Sequence, residues 1–166
     1  MHVDTTAAAG VTTGPPDVGD GPHCWRLAVD SAVLDANSRY AYLLWCRDFS
    51  ATSMVARLDG EVVGFVTGYR RPDAPDTLLV WQIAVAAHAR GRGIAGDLLD
   101  ALVSRVPGID YVETTVTPDN EASHRLFDGF ARRHDAAVSR DELFGSSLLG
   151  EAHLPEILHR IGPIER

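Results

Sequence analysis

The stretch HARGRGIAGDLL, residues 88–99, places three glycines in the spacing Gly-x-Gly-x-x-Gly directly behind the apolar run LLVWQIAV. The apolar run predicts a buried strand, and the segment after the first glycines predicts an amphipathic helix. Backbone amides at a helix N-terminus bind phosphate, and glycines let the backbone approach such a ligand closely. The stretch therefore predicts a strand, a tight turn and a helix that form a pyrophosphate site.

Two classes of nucleotide ligand fit this glycine turn. A dinucleotide-binding fold needs an acidic residue about twenty positions after the turn, and Glu113 lies at about that distance. That fold opens on its glycine turn, whereas here two predicted helices and a predicted hairpin come first. Glu113 also falls in the middle of a predicted strand, and few residues follow it to complete a second half of the sheet. The pattern therefore favours a different nucleotide held by the same kind of turn.

The composition limits what such a site can rely on. The chain has 166 residues, 45% of them hydrophobic, which suffices for one compact domain with its own core. Its 15 basic and 23 acidic residues give a net charge of −8, so neither nucleic acid nor an anionic membrane is an expected partner. An anionic ligand must therefore be held locally, by backbone amides together with Arg90 and Arg92.

Cysteine and histidine usage points away from metal binding. Cys24 and Cys46 have neither a Cys-x-x-Cys spacing nor the spacing of a zinc site. We expect both as small buried side chains in a reduced, cytoplasmic protein. The seven histidines form no ligand pattern either, and a pair such as His153 and His159 is usually structural or exposed, so no metal is expected.

The first third of the chain predicts a tail, two helices and a hairpin. Residues 1–22 are rich in Gly, Pro, Thr and Asp, and we expect a mostly disordered tail with a short extended piece near residues 11–13. A single domain is expected over residues 23–166. It begins with two short helices, the second with Ser38 as its N-cap, and continues with a hairpin that turns at Asp59-Gly60.

The remaining chain alternates strands and helices. The segment RPDAPDT predicts a loop before the strand LLVWQIAV, and the glycine turn and its helix follow. A strand, IDYVETTV, then precedes a helix, NEASHRLFDGFARR, and EILHRIGPI predicts the last strand. This order predicts an α/β fold.

Two segments of this order resemble the GNAT superfamily of N-acetyltransferases. The signature Arg/Gln-x-x-Gly-x-Gly/Ala is matched by Arg90, Gly93 and Ala95, and the later segment NEASHRLFDGF matches a pattern led by Asn120. The resemblance implies a mixed central sheet with an antiparallel N-terminal hairpin, splayed parallel strands and flanking helices. It also implies acetyl-CoA as co-substrate. The implied cofactor-binding residues are Ile83, Val85, Arg90, Gly91, Arg92, Gly93, Ala95, Asn120, Ser123 and Phe127.

One position departs from the pattern of the superfamily. Many members carry a tyrosine that protonates the leaving thiolate, and this chain has Phe127 there. The proton must therefore come from Tyr40, Tyr42 or water, or the thiolate leaves unprotonated.

A closer likeness covers residues 22 to the C-terminus. The segments LDANSRYAYLLWCRDF, ARGRGIAGDLLDAL and VTPDNEASHRLF resemble the diaminobutyrate acetyltransferases of ectoine synthesis. This resemblance implies transfer of acetyl to the 4-amino group of L-2,4-diaminobutyrate by a cytoplasmic homodimer.

The residue chemistry allows such a small diamino acid as acceptor. Carboxylates and hydroxyls are needed for its ammonium groups, and Asp35, Ser38 and Tyr40 stand between and within the first two predicted helices. Trp81 offers a ring for an ammonium, and Glu156 offers a carboxylate near the last strand. Each has a structural alternative: Asp35 or Ser38 caps a helix, Tyr40 is half-buried, Trp81 faces the core, and Glu156 is solvated.

The mechanism expected from these residues is direct attack by the amine. A primary amine is mostly protonated at neutral pH, so Glu156, Asp35 or a water chain through them must remove a proton, and Tyr40 is a candidate acid. Neither cysteine is expected near the thioester, which disfavours an acyl-enzyme. Two alternatives stay open: a GNAT enzyme for another small amine, and an acyl-CoA-binding module without turnover.

Overall fold

The computed structural model describes residues 10–165, and its internal contacts divide the chain into two compact units. Unit 1 comprises the described part of Met1–Tyr69 together with Gln82–Pro107. Unit 2 comprises Arg70–Trp81 and the described part of Gly108–Arg166.

Seven strands form one mixed sheet, which is the sheet expected of the superfamily. Their order is β1-β2-β3-β4-β5-β7-β6. The strands are β1 (Val11–Gly14), β2 (Met54–Leu58), β3 (Glu61–Arg71), β4 (Ala74–Val85), β5 (Tyr111–Val116), β6 (Val138–Phe144) and β7 (Glu156–Ile161). The helices are α1 (Gly21–Asp30), α2 (Arg39–Asp48), α3 (Ile94–Arg105), α4 (Glu121–Arg133) and α5 (Ser146–Leu149).

Unit 1 confirms the predicted helices and hairpin. The strands β2 and β3 pair antiparallel, and the turn between them places Asp59 and Gly60 at positive φ, as the Asp-Gly pair predicts. Helix α2 begins at the predicted N-cap, Ser38, whose hydroxyl accepts a hydrogen bond from the amide of Ala41 at 3.4 Å. The predicted apolar face of α3 is buried: Ile94, Leu98, Leu99, Leu102 and Val103.

Unit 2 is built on pairings of β5, β6 and β7. The strand β7 pairs antiparallel with both β5 and β6. Within this sheet the side chain of Glu113 is buried, and its carboxylate accepts a hydrogen bond from Arg160 at 2.7 Å and lies 3.4 Å from Arg71. Two guanidinium groups therefore neutralise the carboxylate that a dinucleotide fold would have offered to a ribose.

The pairing of β4 with β5 is parallel and short. Residues 77–79 of β4 pair with residues 111–113 of β5, and these three pairs are all that the described residues contain. A hydrogen bond from the Thr114 hydroxyl to the carbonyl of Val80, at 3.2 Å, follows the last pair. This short register is what splayed parallel strands require, and the predicted fold class is confirmed.

Residues 11–22 are ordered, so the expected disordered tail is wrong there, while the short extended piece expected near residues 11–13 is confirmed. This segment contains β1, a single 3-10 turn at Val18–Asp20 and the first residues of α1. Strand β1 is stabilised by antiparallel pairing with β2, and Asp20 is tied to Arg57 by an ion pair of 2.7 Å. Both partners are distant in sequence, so composition could not reveal them. Residues 1–9 of the expected tail lie outside the described residues.

Two further expectations need correction. The predicted loop RPDAPDT is only a tight turn at Pro72 and Asp73, because β3 continues to Arg71 and β4 begins at Ala74. The strand β6 and the short helix α5 were not predicted at all. The strand β6 is polar and exposed along most of its length, so it lacks the alternation by which a strand is recognised.

Candidate active site

The glycine turn lies in unit 1, between the end of β4 and the start of α3. A 3-10 turn at Ala87–Ala89 leads into it, and Gly91 and Gly93 adopt φ values of 78° and 76°. Gly93 is the N-cap of α3 in a left-handed conformation, and no side chain caps the helix. Apart from the adjoining residues, no atom within residues 10–165 lies within 4 Å of where a Cβ would stand at either glycine. The turn is therefore an open cradle in front of an uncapped helix.

Two arginines supply positive charge at this cradle. Arg90 and Arg92 are both exposed, and the Nε of Arg90 donates to the carbonyl of Val85 at 3.2 Å. That hydrogen bond holds the Nε of Arg90 against the end of β4. Helix α3 adds about half a positive charge through its dipole, although Asp97 in its first turn opposes part of it. The structure thus brings together the predicted Arg90, Gly91, Arg92, Gly93 and Ala95.

The end of β4 carries the predicted amide donors. Ile83 and Val85 are half-buried and alternate with Gln82 and Ala84, which are buried. The first residue after the strand, Ala86, donates its amide to the carbonyl of Val63 at 2.7 Å. Ile83 and Val85 therefore lie on the same side of the strand, immediately before the glycine turn.

A cleft of about 280 Å³ adjoins the glycine turn within unit 1. Its lining includes Asp30 and Ser31 at the end of α1, Val85 and Ala86 at the end of β4, and Arg90 of the glycine turn. The cleft has a size that suits a small molecule or part of a larger one.

The loop between α1 and α2, residues 31–38, carries two predicted acceptor residues. Asp35 and Ser38 are exposed on it, and Tyr40 follows in α2 with 67% of its surface exposed. The alternative of helix capping is confirmed for Ser38 and not for Asp35, because Ser38 is the N-cap of α2. Tyr40 is more exposed than the half-buried alternative would have it.

Tyr42 does not have the exposure that its candidate role as an acid requires. Its side chain is fully buried, and its hydroxyl donates to the Oε1 of Gln82 at 2.8 Å. Burial raises the pKa of Tyr42, so the hydroxyl keeps its proton. The Nε2 of Gln82 in turn donates to the carbonyl of Asp35 at 3.0 Å.

Gln82 is a residue that sequence reasoning missed. Its side chain is 6% exposed although it is polar, and both ends of its amide are hydrogen-bonded to unit 1. A signal was present, because a single glutamine interrupts the apolar run LLVWQIAV. A buried amide needs partners for its oxygen and nitrogen, so a lone glutamine in a buried strand indicates a specific contact.

Three predicted cofactor residues belong to α4 in unit 2. Asn120 is the N-cap of α4, and its Oδ1 accepts from the amide of Ser123 at 3.2 Å. Ser123 is half-buried, whereas Phe127 is only 2% exposed. The structure thus gives Asn120 and Ser123 a helix-capping contact and Phe127 a place in the core, and their contact with a cofactor stays a prediction.

The two remaining acceptor residues also lie in unit 2. Trp81 is half-buried and follows Val80, which is the one of the pair that faces the core. Glu156 is half-buried at the first position of β7, opposite Phe144 of β6. Of the predicted histidine pair, His159 is fully buried, with its ring 5.1 Å from that of His124.

Residues 10–165 contain neither a candidate metal site nor a candidate membrane-spanning helix. No group of three or more His, Cys, Asp or Glu side chains in this range is placed to hold a metal ion. No helix in the same range is long and apolar enough to cross a membrane.

Comparison with known proteins places the chain among acetyltransferases. Residues 15–130 match the acetyltransferase (GNAT) family. A relative from Streptomyces anulatus, an L-2,4-diaminobutyric acid acetyltransferase, is 58% identical over 153 residues, which cover 89% of this chain and 87% of the relative. A protein of the same name from Streptomyces coelicolor is 54% identical over 166 residues and covers 96% and 97%.

Solved structures agree with this assignment. Diaminobutyrate acetyltransferase EctA from Paenibacillus lautus, in complex with L-2,4-diaminobutyric acid and coenzyme A, superposes with a TM-score of 0.90. It is 38% identical, and the match covers 94% of this chain and 96% of that chain. Ard1 from Thermoplasma volcanium shares only the fold, with a TM-score of 0.74 at 19% identity, over 93% and 99% of the two chains. With its uncapped glycine turn, mixed sheet and near full-length relatives, the chain belongs to the acetyltransferase (GNAT) family, and within it to the family of the L-2,4-diaminobutyric acid acetyltransferases.

Proposed function

We propose that this protein transfers an acetyl group from acetyl-CoA to the 4-amino group of L-2,4-diaminobutyrate. The observation that carries the proposal is the identity of 54% to the relative from Streptomyces coelicolor over 96% of this chain. An identity of that extent leaves no large segment of the chain for a different acceptor site. The product is N4-acetyl-diaminobutyrate. Under the same proposal it serves ectoine synthesis in the cytoplasm.

The glycine turn fits the pyrophosphate of acetyl-CoA. The space in front of Gly91 and Gly93 is open, the helix behind it lacks a capping side chain, and Arg90 and Arg92 are exposed beside it. Amides at such a turn bind phosphate oxygens without any net positive charge on the protein. This matters for a chain whose net charge is −8.

The end of β4 is the proposed site of acyl transfer. Acetyl-CoA supplies the acetyl group as a thioester. We assign the amides near Ile83 and Val85 to the carbonyl oxygen of that thioester, because donors placed at a developing negative charge lower the barrier. Asn120 and Ser123 of α4 are proposed to anchor the same co-substrate, and Phe127 to support that helix.

The acceptor amine must lose a proton before it attacks. The proposed base is Glu156, with Asp35 or a water chain as the alternative route, because a carboxylate within reach of an ammonium group can accept its proton. Asp35, Ser38, Tyr40 and Trp81 are proposed to bind the acceptor. Tyr40 is exposed and free to approach a ligand, so it is preferred over Tyr42 as the acid that protonates the leaving thiolate.

The attack is proposed to be direct, without an acyl-enzyme. The chain has two cysteines, and both are buried, with Cys24 1% and Cys46 3% exposed. A hydrogen bond with Cys46 and burial raise the pKa of the Cys24 thiol, which disfavours its thiolate. The same hydrogen bond lowers the pKa of Cys46, but burial keeps that side chain away from a ligand. Neither side chain is therefore placed to accept an acetyl group.

A homodimer is proposed to form through the C-terminal part of unit 2. Strand β6 ends the sheet and leaves one edge unpaired among the described residues. Exposed large apolar side chains cluster in sequence at and after the end of β6, and surfaces of this kind usually mark protein interfaces. They are Leu143, Phe144, Leu148, Leu149 and Leu154, with exposed fractions from 37% to 75%.

The first test is release of CoA from acetyl-CoA in the presence of different amines. We expect turnover with L-2,4-diaminobutyrate to exceed that with ornithine, lysine or spermidine by at least about tenfold in kcat/KM, since one methylene is worth about 1–3 kcal/mol in a fitted pocket. NMR of the product should place the acetyl group on the 4-amino nitrogen. A preference for another amine refutes the acceptor assignment, and acetyl-CoA binding without any turnover refutes the enzymatic one.

A second prediction concerns the cradle. Gly93→Ala should raise the KM for acetyl-CoA about tenfold or more, because the new Cβ enters the space assigned to the pyrophosphate and strains a positive φ. Gly60→Ala is the matched control: Gly60 has a φ of 83° and the same open surroundings, but lies in the β2–β3 turn. Both variants should lose about 1 kcal/mol of stability. An equal KM in the two variants contradicts the assignment.

A third prediction concerns the proton acceptor. Glu156→Gln should lower kcat with diaminobutyrate about 100-fold, since the amide cannot take a proton. Glu151→Gln, in the same segment but exposed, should leave kcat unchanged. If Glu156→Gln keeps most of the activity while Asp35→Asn loses it, Asp35 is the base instead.

A fourth prediction concerns assembly. Leu148→Glu should convert the dimer to a monomer in light scattering after gel filtration, because Leu148 is 75% exposed and a buried carboxylate would oppose association. Val18→Glu, at 47% exposure in unit 1, is the control and should remain dimeric. A wild-type protein that elutes as a monomer, or a Leu148→Glu variant that stays dimeric, rules out this interface.

A further inference from the structure

The α1–α2 loop, residues 31–38, has few ways to hold its shape. Leu34 packs against the core of unit 1 and Ser31 is half-buried, whereas the other residues of the loop are exposed. Two local bonds help at its start: the Ser31 hydroxyl donates to the carbonyl of Ala28 at 2.7 Å, and accepts from the amide of Leu34 at 3.1 Å. These bonds order the first half of the loop and leave the segment around Asp35 to another contact.

That contact comes from β4. The Nε2 of Gln82 donates to the main-chain carbonyl of Asp35 at 3.0 Å, across 47 positions of sequence. The side-chain amide of Asn37 donates to the same carbonyl at 3.3 Å. Asn37 belongs to the loop itself, whereas Gln82 joins this segment to β4 in unit 1.

The orientation of the Gln82 amide is determined by its partners. A carbonyl can only accept a hydrogen bond, so the side of the amide that faces Asp35 must be the NH₂ group. The Oε1 then faces the hydroxyl of Tyr42, which donates to it at 2.8 Å. A flipped amide would place two oxygens against each other at Asp35. The bonding pattern therefore allows one rotamer and one direction of donation.

The anchor of this arrangement is rigid. Tyr42 is fully buried, and its ring packs edge-on against Phe65 with the centroids 6.2 Å apart. The main-chain carbonyl of Gln82 also lies 3.4 Å from the Thr67 hydroxyl, which donates to it. A side chain buried at 6% exposure and held at both ends transmits the position of β4 directly to the loop.

We propose that Gln82 is a positioning residue that holds Asp35 and the α1–α2 loop in the conformation that binds the acceptor amine. Gln82 directly precedes Ile83, so one strand segment sets the place of both the acyl group and the acceptor loop. The inference rests on the proposed function, because it assumes that Asp35 and its loop bind the acceptor. It assigns Gln82 no contact with either substrate.

The test uses two substitutions of the full-length protein. Gln82→Glu keeps the volume of the side chain and the acceptor for Tyr42, but replaces the N–H donor by a carboxylate oxygen that repels the Asp35 carbonyl. Gln82→Met removes both hydrogen bonds. Tyr42→Phe removes the donor to the Gln82 Oε1 and the contact of the Tyr42 hydroxyl with Asn37, while the Gln82 amide itself is kept.

We expect Gln82→Glu and Gln82→Met to raise the KM for diaminobutyrate about five- to tenfold, the effect of one lost hydrogen bond. The KM for acetyl-CoA should stay within about twofold of the wild-type value, and kcat at saturating acceptor should change less than the acceptor KM. Tyr42→Phe should give a smaller change in the same direction. Backbone amides of residues 31–38 should exchange with deuterium faster in all three variants.

Thr52→Val is the matched control. Its hydroxyl also binds a main-chain carbonyl in unit 1, that of Gly68 at 2.6 Å, but far along the chain from the loop. The variant should lose a similar amount of stability without a change in the acceptor KM or in the exchange of residues 31–38. A rise in acceptor KM in this control as large as in the Gln82 variants would reduce the effect to general destabilisation and overturn the proposal.

Two readouts separate this inference from the proposed function. If folded Gln82→Glu protein keeps the wild-type acceptor KM, or if exchange within residues 31–38 is unchanged, Gln82 does not position the loop and the inference is wrong. If the wild-type protein acetylates no diaminobutyrate, the proposed function fails instead, and exchange in the loop still decides whether Gln82 holds it.

Discussion

The left-handed conformation of two glycines after β4 is the constraint on which the proposed chemistry depends. A side chain at Gly91 or Gly93 would be strained, and it would also occupy the open space in front of α3. Because these residues reverse the chain so tightly, α3 begins with no side chain over its first amides. The positive end of the dipole of this 12-residue helix then lies at the turn that follows β4.

This arrangement solves an electrostatic difficulty of the chain. A protein with a net charge of −8 repels a polyphosphate at long range, but salt screens that repulsion beyond about 10 Å. Close to the turn the local field is set by oriented amides and by Arg90 and Arg92. Arginines also neutralise a buried acidic group in unit 2, where the carboxylate of Glu113 lies between Arg160 and Arg71. The surplus of acidic residues therefore does not prevent an anion from binding at this turn, because the charge at each site is set by its immediate neighbours.

How far the sequence could predict the structure depended on the range of the interactions involved. The Asp59-Gly60 turn, the Ser38 cap and the buried face of α3 rest on neighbours within a few residues, and all were predictable. Strand β1 was predicted only as a short extended piece near residues 11–13, because its stability comes from pairing with β2, more than forty positions away in sequence. Strand β6 was missed because its exposed, charged residues show no alternation, and only the edge of β7 makes it a strand. In the candidate site, the glycine cradle was predictable and the tie between Gln82 and Asp35 was not.

The sequence by itself determined the fold class, the glycine turn and the residue types available for an anionic co-substrate, because helix periodicity, turn chemistry and phosphate binding by amides are local properties. It also marked Gln82 as unusual, as the one polar residue within the run LLVWQIAV. Only the tertiary structure decided what that amide does, since its partners Tyr42 and Asp35 are brought to it by the folding of α2 and the α1–α2 loop. It likewise removed Tyr42 from the candidate acids by burying it, and gave Glu113 a structural role through two distant arginines. Those outcomes depend on contacts between residues about 40 positions apart, and no local pattern encodes them.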